Sequence, residues 1–178
     1  MTRTSALFGP ERIFELLEEL GGRLDDRGIE ARLFLVGGAA MALAYGRDRV
    51  TRDLDAVFVP KAEIYEEAKR MAQDLGLPED WLNGAVKGLL PDRSEQIEGS
   101  TSFTTRGLHV GVASAEYLFA MKAQAARQET DGADLRHLVN VLRIGSVPEA
   151  LDLIERFYDP VRLRPNTRLI LEDIIAPD

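Results

Sequence analysis

LFLVGGAAMALAYGRDRVTRDLDAVF, residues 33 to 58, is the stretch on which the reading of this chain turns. The apolar run from Ala31 to Val36 ends abruptly at Gly37-Gly38, which reads as a short buried strand entering a tight turn. AAMALAY then favours helix, Gly46 is a stop, and GRDRVTR is a polar loop. Asp53 to Val59 reads as a second strand closed by Pro60. Residues two apart on a strand share a face, so Asp53 and Asp55 stand side by side. Two carboxylates that close are costly unless a cation lies between them. A magnesium ion answers that need, since it takes hard oxygen ligands and bridges to phosphates. Phosphoryl and nucleotidyl transfer use this arrangement.

An Asp-x-Asp pair alone also occurs on solvated strand ends, and Gly-Gly also makes turns that bind nothing. Here Leu54 and Ala56 to Val59 are apolar, which makes the acids the head of an interior strand. Glycines between strand and helix let backbone amides approach an anion. Arg47, Arg49 and Arg52 precede the acids, and arginine forks suit phosphate oxygens.

Outward from this segment, Pro10 opens a helix through ERIFELLEELGGRLDDRG, with Ile13, Leu16, Leu17 and Leu20 as its buried stripe. Gly21-Gly22 leaves the end of that helix undefined. KAEIYEEAKRMAQDLG is a second amphipathic helix burying Ile64, Ala68, Met71, Ala72 and Leu75. From Leu77 to Arg106 the pattern is poor, and a loop or short irregular strands are expected, with Trp81 as a core or lid anchor. GLHVGVAS alternates as a half-buried strand, with His109 as a strand residue rather than a ligand. Ser114 caps a helix running to about Arg127. Leu135, Leu138, Val139 and Leu142 mark another, PEALDLIERFY a third and RPNTRLILEDII a last one. The expected fold is α/β (α+β): a small mixed sheet flanked by helices over residues 1–113, then a helical region over 114–178 that completes the site.

The chain has 178 residues, 45% hydrophobic and 29% charged, which is the composition of a folded domain. A net charge of −8 opposes any role in coating nucleic acid and requires local cations wherever a polyphosphate binds. With no cysteine, disulfides, thiolate metal sites and cysteine nucleophiles are excluded. MTRTSALFGPERIF lacks the apolar core of a secretory signal, and no run reaches the length of a membrane span, so a cytoplasmic protein without a membrane role is expected.

Residues 33 to 58 resemble the signature of the nucleotidyltransferase superfamily that includes DNA polymerase beta: strand, Gly-Gly turn into a helix, then Asp-x-Asp on the next strand. The Thr-x-Asp-x-Asp form most resembles the AbiEii/MenT-type toxins and related small proteins. A second block, EYLFAMKAQAARQETDGADLRHL from Glu116 to Leu138, is similar to their downstream helical motif. The resemblance implies that Gly37 and Gly38 face nucleotide phosphates, that Thr51 is the small hydroxyl residue before the acids, and that Asp53 and Asp55 hold Mg2+ or Mn2+. It further implies Lys122 as a triphosphate contact, Asp134 as the functional acid of the helix and Arg127 as a supporting charge. The implied activity moves a nucleoside monophosphate from a nucleoside triphosphate to an acceptor hydroxyl. The acceptor would be a tRNA 3′ end or a protein, and the chain would be a toxin with a cognate antitoxin. A same-fold transferase acting on a protein or an antibiotic-like small molecule, and a catalytically silent nucleotide-binding module, are the alternatives. The strand GLHVGVAS departs from the wider superfamily by carrying no third carboxylate. Arg162, Arg164 and Arg168 read either as a basic cluster for an RNA backbone or as a solvated helix start.

Overall fold

The computed structural model describes residues 7–46, 48–84, 101–125 and 128–176. Strands β1 (Ala31–Leu35), β2 (Leu54–Val59), β3 (Leu82–Asn83), β4 (Thr101–Thr105) and β5 (Leu108–Val112) form one sheet in the order β3-β2-β1-β5-β4. β1 pairs antiparallel with β2 and parallel with β5, while β2 and β3 are parallel and β4 and β5 antiparallel. The result is the mixed sheet with flanking helices that the sequence predicts. The chain divides into two compact units that part between Ala113 and Ser114.

The first unit holds the sheet with helices α1 (Pro10–Asp26), α2 (Gly37–Ala40) and α3 (Lys61–Leu75); α2 continues as a π-helical segment, Met41–Tyr45. Alternation decides which sheet face is covered. Leu33, Leu54, Ala56, Leu108 and Val110 are buried, and α1 packs on β4 and β5 while α3 packs on β2. At the fringe of that face Phe103 of β4 meets Phe14 of α1 with ring centroids 5.3 Å apart. Between the two helices Glu67, only 4% exposed, lies among Arg23, Arg27 and Arg70, with its closest contact to Arg27 at 2.9 Å. Buried charge of this kind is tolerated because it is ion-paired and hydrogen-bonded on several sides.

Gly21-Gly22 does not end α1, which runs on to Asp26. A Cβ at Gly21 would come 2.5 Å from the carbonyl of Arg106, so the glycine is where the helix presses on the β4–β5 turn. Gly107 in that turn has φ +76, a conformation that favours glycine. One boundary differs from expectation. β2 begins at Leu54, one residue after Asp53, because the first ladder partner on β3 is Leu82. β4 is a five-residue strand within the stretch where a loop or short irregular strands are expected. The expected limit of α4 at Arg127 lies outside the described residues.

The second unit packs α4 (Ala115–Ala125), α5 (Gln128–Leu142), α6 (Val147–Glu155) and α7 (Thr167–Ile175). α4 is buried nearly all round and touches the other three helices. Ser114 caps it, its Oγ accepting from Tyr117 N at 3.1 Å, and Ser146 caps α6 in the same way through Glu149 N. Among the described residues, no helix is long and apolar enough to cross a membrane.

Candidate functional site

The site is built where β1 runs out. Leu35 and Val36 are fully buried, Val36 is extended, and Gly37 turns the chain with φ +60. No side chain caps the helix that follows, whose glycine start lies half-buried. The β1–β2 ladder ends at the same place, with Val36 N donating to the Asp55 carbonyl at 2.9 Å. Asp55 therefore sits beside the turn. Its Oδ2 lies 3.0 Å from the position a Gly37 Cβ would take, and its Oδ1 accepts from Asn83 Nδ2 at 3.2 Å. Asn83 reaches it because β3 runs parallel to β2 with Asn83 in register with Asp55.

Asp53, half-buried, lies one residue ahead of the strand. Burial raises its carboxyl above the ordinary aspartate range, and the negative charge of Asp80 raises it further. A backbone N–H and the Arg52 charge work in the opposite sense. The carboxylate lacks enough positive charge nearby to offset its desolvation, which is the condition a cation relieves.

Thr51 ties the turn to the acids. Its hydroxyl donates to the Asp53 carbonyl at 2.9 Å, and the same oxygen would be 2.7 Å from a Cβ at Gly38. Its backbone is held by two hydrogen bonds with Phe8, at 2.7 and 3.0 Å. From the other side Trp81 fixes the start of β2: its carbonyl accepts from Leu54 N at 2.7 Å, and its indole N–H donates to the Ala68 carbonyl at 2.9 Å. Trp81 is fully buried, as a core anchor is. Tyr45 Oη donates to the Ala113 carbonyl at 3.2 Å and so closes the π-helical segment over the end of β5.

The loop arginines differ among themselves. Arg49 lays its side chain along Gly46, where a Cβ would meet its Cδ at 2.9 Å. Arg52 is exposed beside Asp53, and Arg47 lies outside the described residues. On β5, the positions that share a face with Asp55 near the turn are Gly111 and Ala113, neither of them acidic. Among the described residues no group of three or more His, Asp or Glu side chains is assembled to hold a metal ion. The donors expected from the sequence are Asp53 and Asp55. Two carboxylates suit magnesium, which keeps several waters and completes its shell with substrate phosphates.

In the second unit Lys122 Nζ lies 2.9 Å from Asp131 Oδ1 and 2.8 Å from Asp134 Oδ2, all three side chains being mostly buried. The two acids sit three apart on one face of α5, and the ammonium lies against both. Arg127 lies outside the described residues. In the C-terminal cluster Arg162, Arg164 and Arg168 are all exposed, and Arg162 lies over the Tyr158 ring at 5.7 Å. Glycine turn, Thr51 and acid pair thus gather in the first unit, and Lys122, Asp131 and Asp134 in the second.

Two residues of the site carry no signal in the sequence. Asn83 and Asp80 fall in the stretch with no clear pattern, and only the short parallel pairing of β3 with β2 brings them to the acids. No spacing rule within residues 33 to 58 points to them.

The chain matches no protein-family model, and no curated protein matches it. Among solved structures, an antigenic nucleotidyltransferase-like protein from Paracoccidioides brasiliensis is similar over 94% of this chain and 95% of its own, at 14% identity and a TM-score of 0.45.

Proposed function

We propose that the chain is a metal-dependent nucleotidyltransferase that moves a nucleoside monophosphate from a nucleoside triphosphate to an acceptor hydroxyl. The observation that supports this most is the seating of Asp55: one carboxylate oxygen is held by Asn83 and the other lies against Gly37. In this reading the acid that would hold the metal and the turn whose amides would donate to a phosphate share one place. Asp53 and Asp55 would hold Mg2+ or Mn2+, which when bound neutralises phosphate charge and aligns the attacking and leaving oxygens. Gly37 and Gly38 let the triphosphate approach the backbone, and Arg52 adds positive charge at the rim. In the transfer, the acceptor hydroxyl would give its proton to water and its oxygen would bond to the α-phosphorus, while the bond from that phosphorus to the α,β-bridging oxygen breaks and pyrophosphate leaves. By resemblance, Arg47, Arg49 and Thr51 belong to the nucleotide side, Lys122 to the triphosphate, and Asp134 and Arg127 to the supporting helix.

The same resemblance makes a tRNA 3′ end the acceptor, with the protein acting as a toxin opposed by an antitoxin. A protein or small-molecule acceptor is the alternative favoured by the net charge of −8. Incubation of the protein with radiolabelled nucleoside triphosphates and either total RNA or total protein, in magnesium and in manganese, tests both. Label should enter one acceptor pool and be lost in Asp53→Asn and Asp55→Asn. Equal labelling by the variants would remove the acids from the site. The absence of an acid at Gly111 and Ala113 favours a second reading, a silent nucleotide-binding module. Nucleotide-dependent thermal stabilisation without any transfer is its signature.

A further inference from the structure

A cleft of ≈ 570 Å³ opens at the end of the sheet away from the glycine turn, lined by the starts of β1 and β5 and the ends of β2 and β4. From Arg32 to Val36 the chain advances by four residues, roughly 13 Å at strand rise. Cleft and acid pair are therefore separate places, and a role for the cleft does not depend on the nucleotidyltransferase reading.

One wall of the cleft is a row of residues in register across four strands: Val59 on β2, Arg32 on β1, His109 on β5 and Thr104 on β4. Residues in register point to the same face. The next row along that face is Val57, Phe34, Gly111 and Ser102, in which Phe34 is buried. Within one step along β1 this face changes from buried Phe34 to exposed Arg32. Arg32 is exposed, and among the described residues it forms no ion pair. The His109 ring is held by Thr104, with Oγ1 2.9 Å from Nδ1. In the tautomer whose Nδ1 accepts from that hydroxyl, Nε2 carries the ring proton as a second donor, on the strand position in register with Arg32. Glu30, two residues before Arg32, also lines the cleft and supplies an acceptor at its edge.

We propose that this cleft binds a small oxyanion-bearing ligand, its phosphate or carboxylate held between the Arg32 guanidinium and His109 Nε2–H, with Thr104 fixing the imidazole. A guanidinium fork and a ring N–H form charge-assisted bonds to either group. On a protein with a net charge of −8 such an anion is held only by local donors of this kind.

The chain has two histidines, and His137 on α5 serves as the internal reference for His109 in imidazole NMR. Inorganic phosphate is titrated at fixed pH and fixed ionic strength, with sodium acetate as the second arm. The His109 ring signals should move and saturate while those of His137 stay still. Saturation by phosphate alone assigns a phosphate ester, and saturation by both assigns carboxylates as well. Arg32→Gln should weaken binding about tenfold or more. Thr104→Val should weaken it too, because the ring loses its anchor. No saturable shift at His109, or the same saturation in Arg32→Gln, overturns the proposal. If Arg32→Gln does not fold, unchanged binding in Thr104→Val overturns it instead.

Discussion

Gly38→Ala separates what the glycine turn owes to packing from what it owes to a ligand. An added Cβ would lie 2.7 Å from Thr51 Oγ1 and 3.1 Å from Thr51 Cβ. Thr51 has little room to give, since its hydroxyl donates to the Asp53 carbonyl and its backbone is bonded twice to Phe8. Rotating the hydroxyl away forfeits a hydrogen bond, about 1 kcal/mol. The remaining crowding against a β-branched residue in a packed site costs about 1–3 kcal/mol. Against these stands the better helix propensity of alanine, about 1 kcal/mol. The net expectation is a loss of about 1–3 kcal/mol, or a fall of roughly 2–4 °C in thermal midpoint for each kcal/mol in a chain of this size. The assay is urea and thermal unfolding of wild type, Gly38→Ala, Thr51→Ala and the double variant. Because the cost arises from one contact, Gly38→Ala should cost markedly less in the Thr51→Ala background. An equal cost in both backgrounds, or no cost in the wild type, would refute the steric argument. The glycine would then be explained by ligand approach alone.

Gly37→Ala forces a side chain into φ +60 and against the Asp55 carboxylate, so it should destabilise by about 1–2 kcal/mol and abolish nucleotide-dependent thermal stabilisation. Burial raises the Asp53 carboxyl, so its stabilising contribution is whole below the ordinary aspartate range and is lost as pH rises through the folded value. Asp53→Asn with divalent cations chelated should therefore raise the urea midpoint at neutral pH and leave it unchanged in strong acid; a lower neutral midpoint would contradict this. Asn83→Ala removes the amide bond to Asp55 Oδ1 and should weaken manganese binding, followed by calorimetry, about 10–100-fold with little loss of stability. Lys122→Met leaves Asp131 and Asp134 without their shared counter-ion, at a cost of about 3 kcal/mol. Asp134→Asn, in which Asp131 still pairs with the lysine, should cost clearly less in the same chemical unfolding assay.

The strand–turn–helix–strand run was readable because each part is specified locally. An apolar run stops at two glycines, and Leu54, Ala56 and Phe58 alternate with the half-buried or exposed positions of β2. The Ser114 cap was readable for the same reason, a hydroxyl placed just before an apolar helix. What escaped reading depends on distant parts of the chain. TSFTT has no apolar alternation to mark β4, since Phe103 is its one large core-seeking residue. Gly21-Gly22 leaves the end of α1 undefined until the β4–β5 turn is seen against Gly21. Asn83 is separated from Asp55 by 28 positions and is linked to it by a strand of two residues. That pairing is too short to leave a periodic trace.

Trp81, the only tryptophan in the chain, donates to the α3 backbone and accepts from the first residue of β2. It is therefore a built-in fluorophore placed directly under the acid pair. Its emission reports on the local integrity of this corner without any label. A red shift that precedes loss of helical circular dichroism during unfolding would mean that the head of β2 lets go first. Coincident curves would mean that this corner and the helices melt together. Divalent cations or nucleotides that tighten the acid pair would be read in the same signal, as a change in quenching at a residue they never touch.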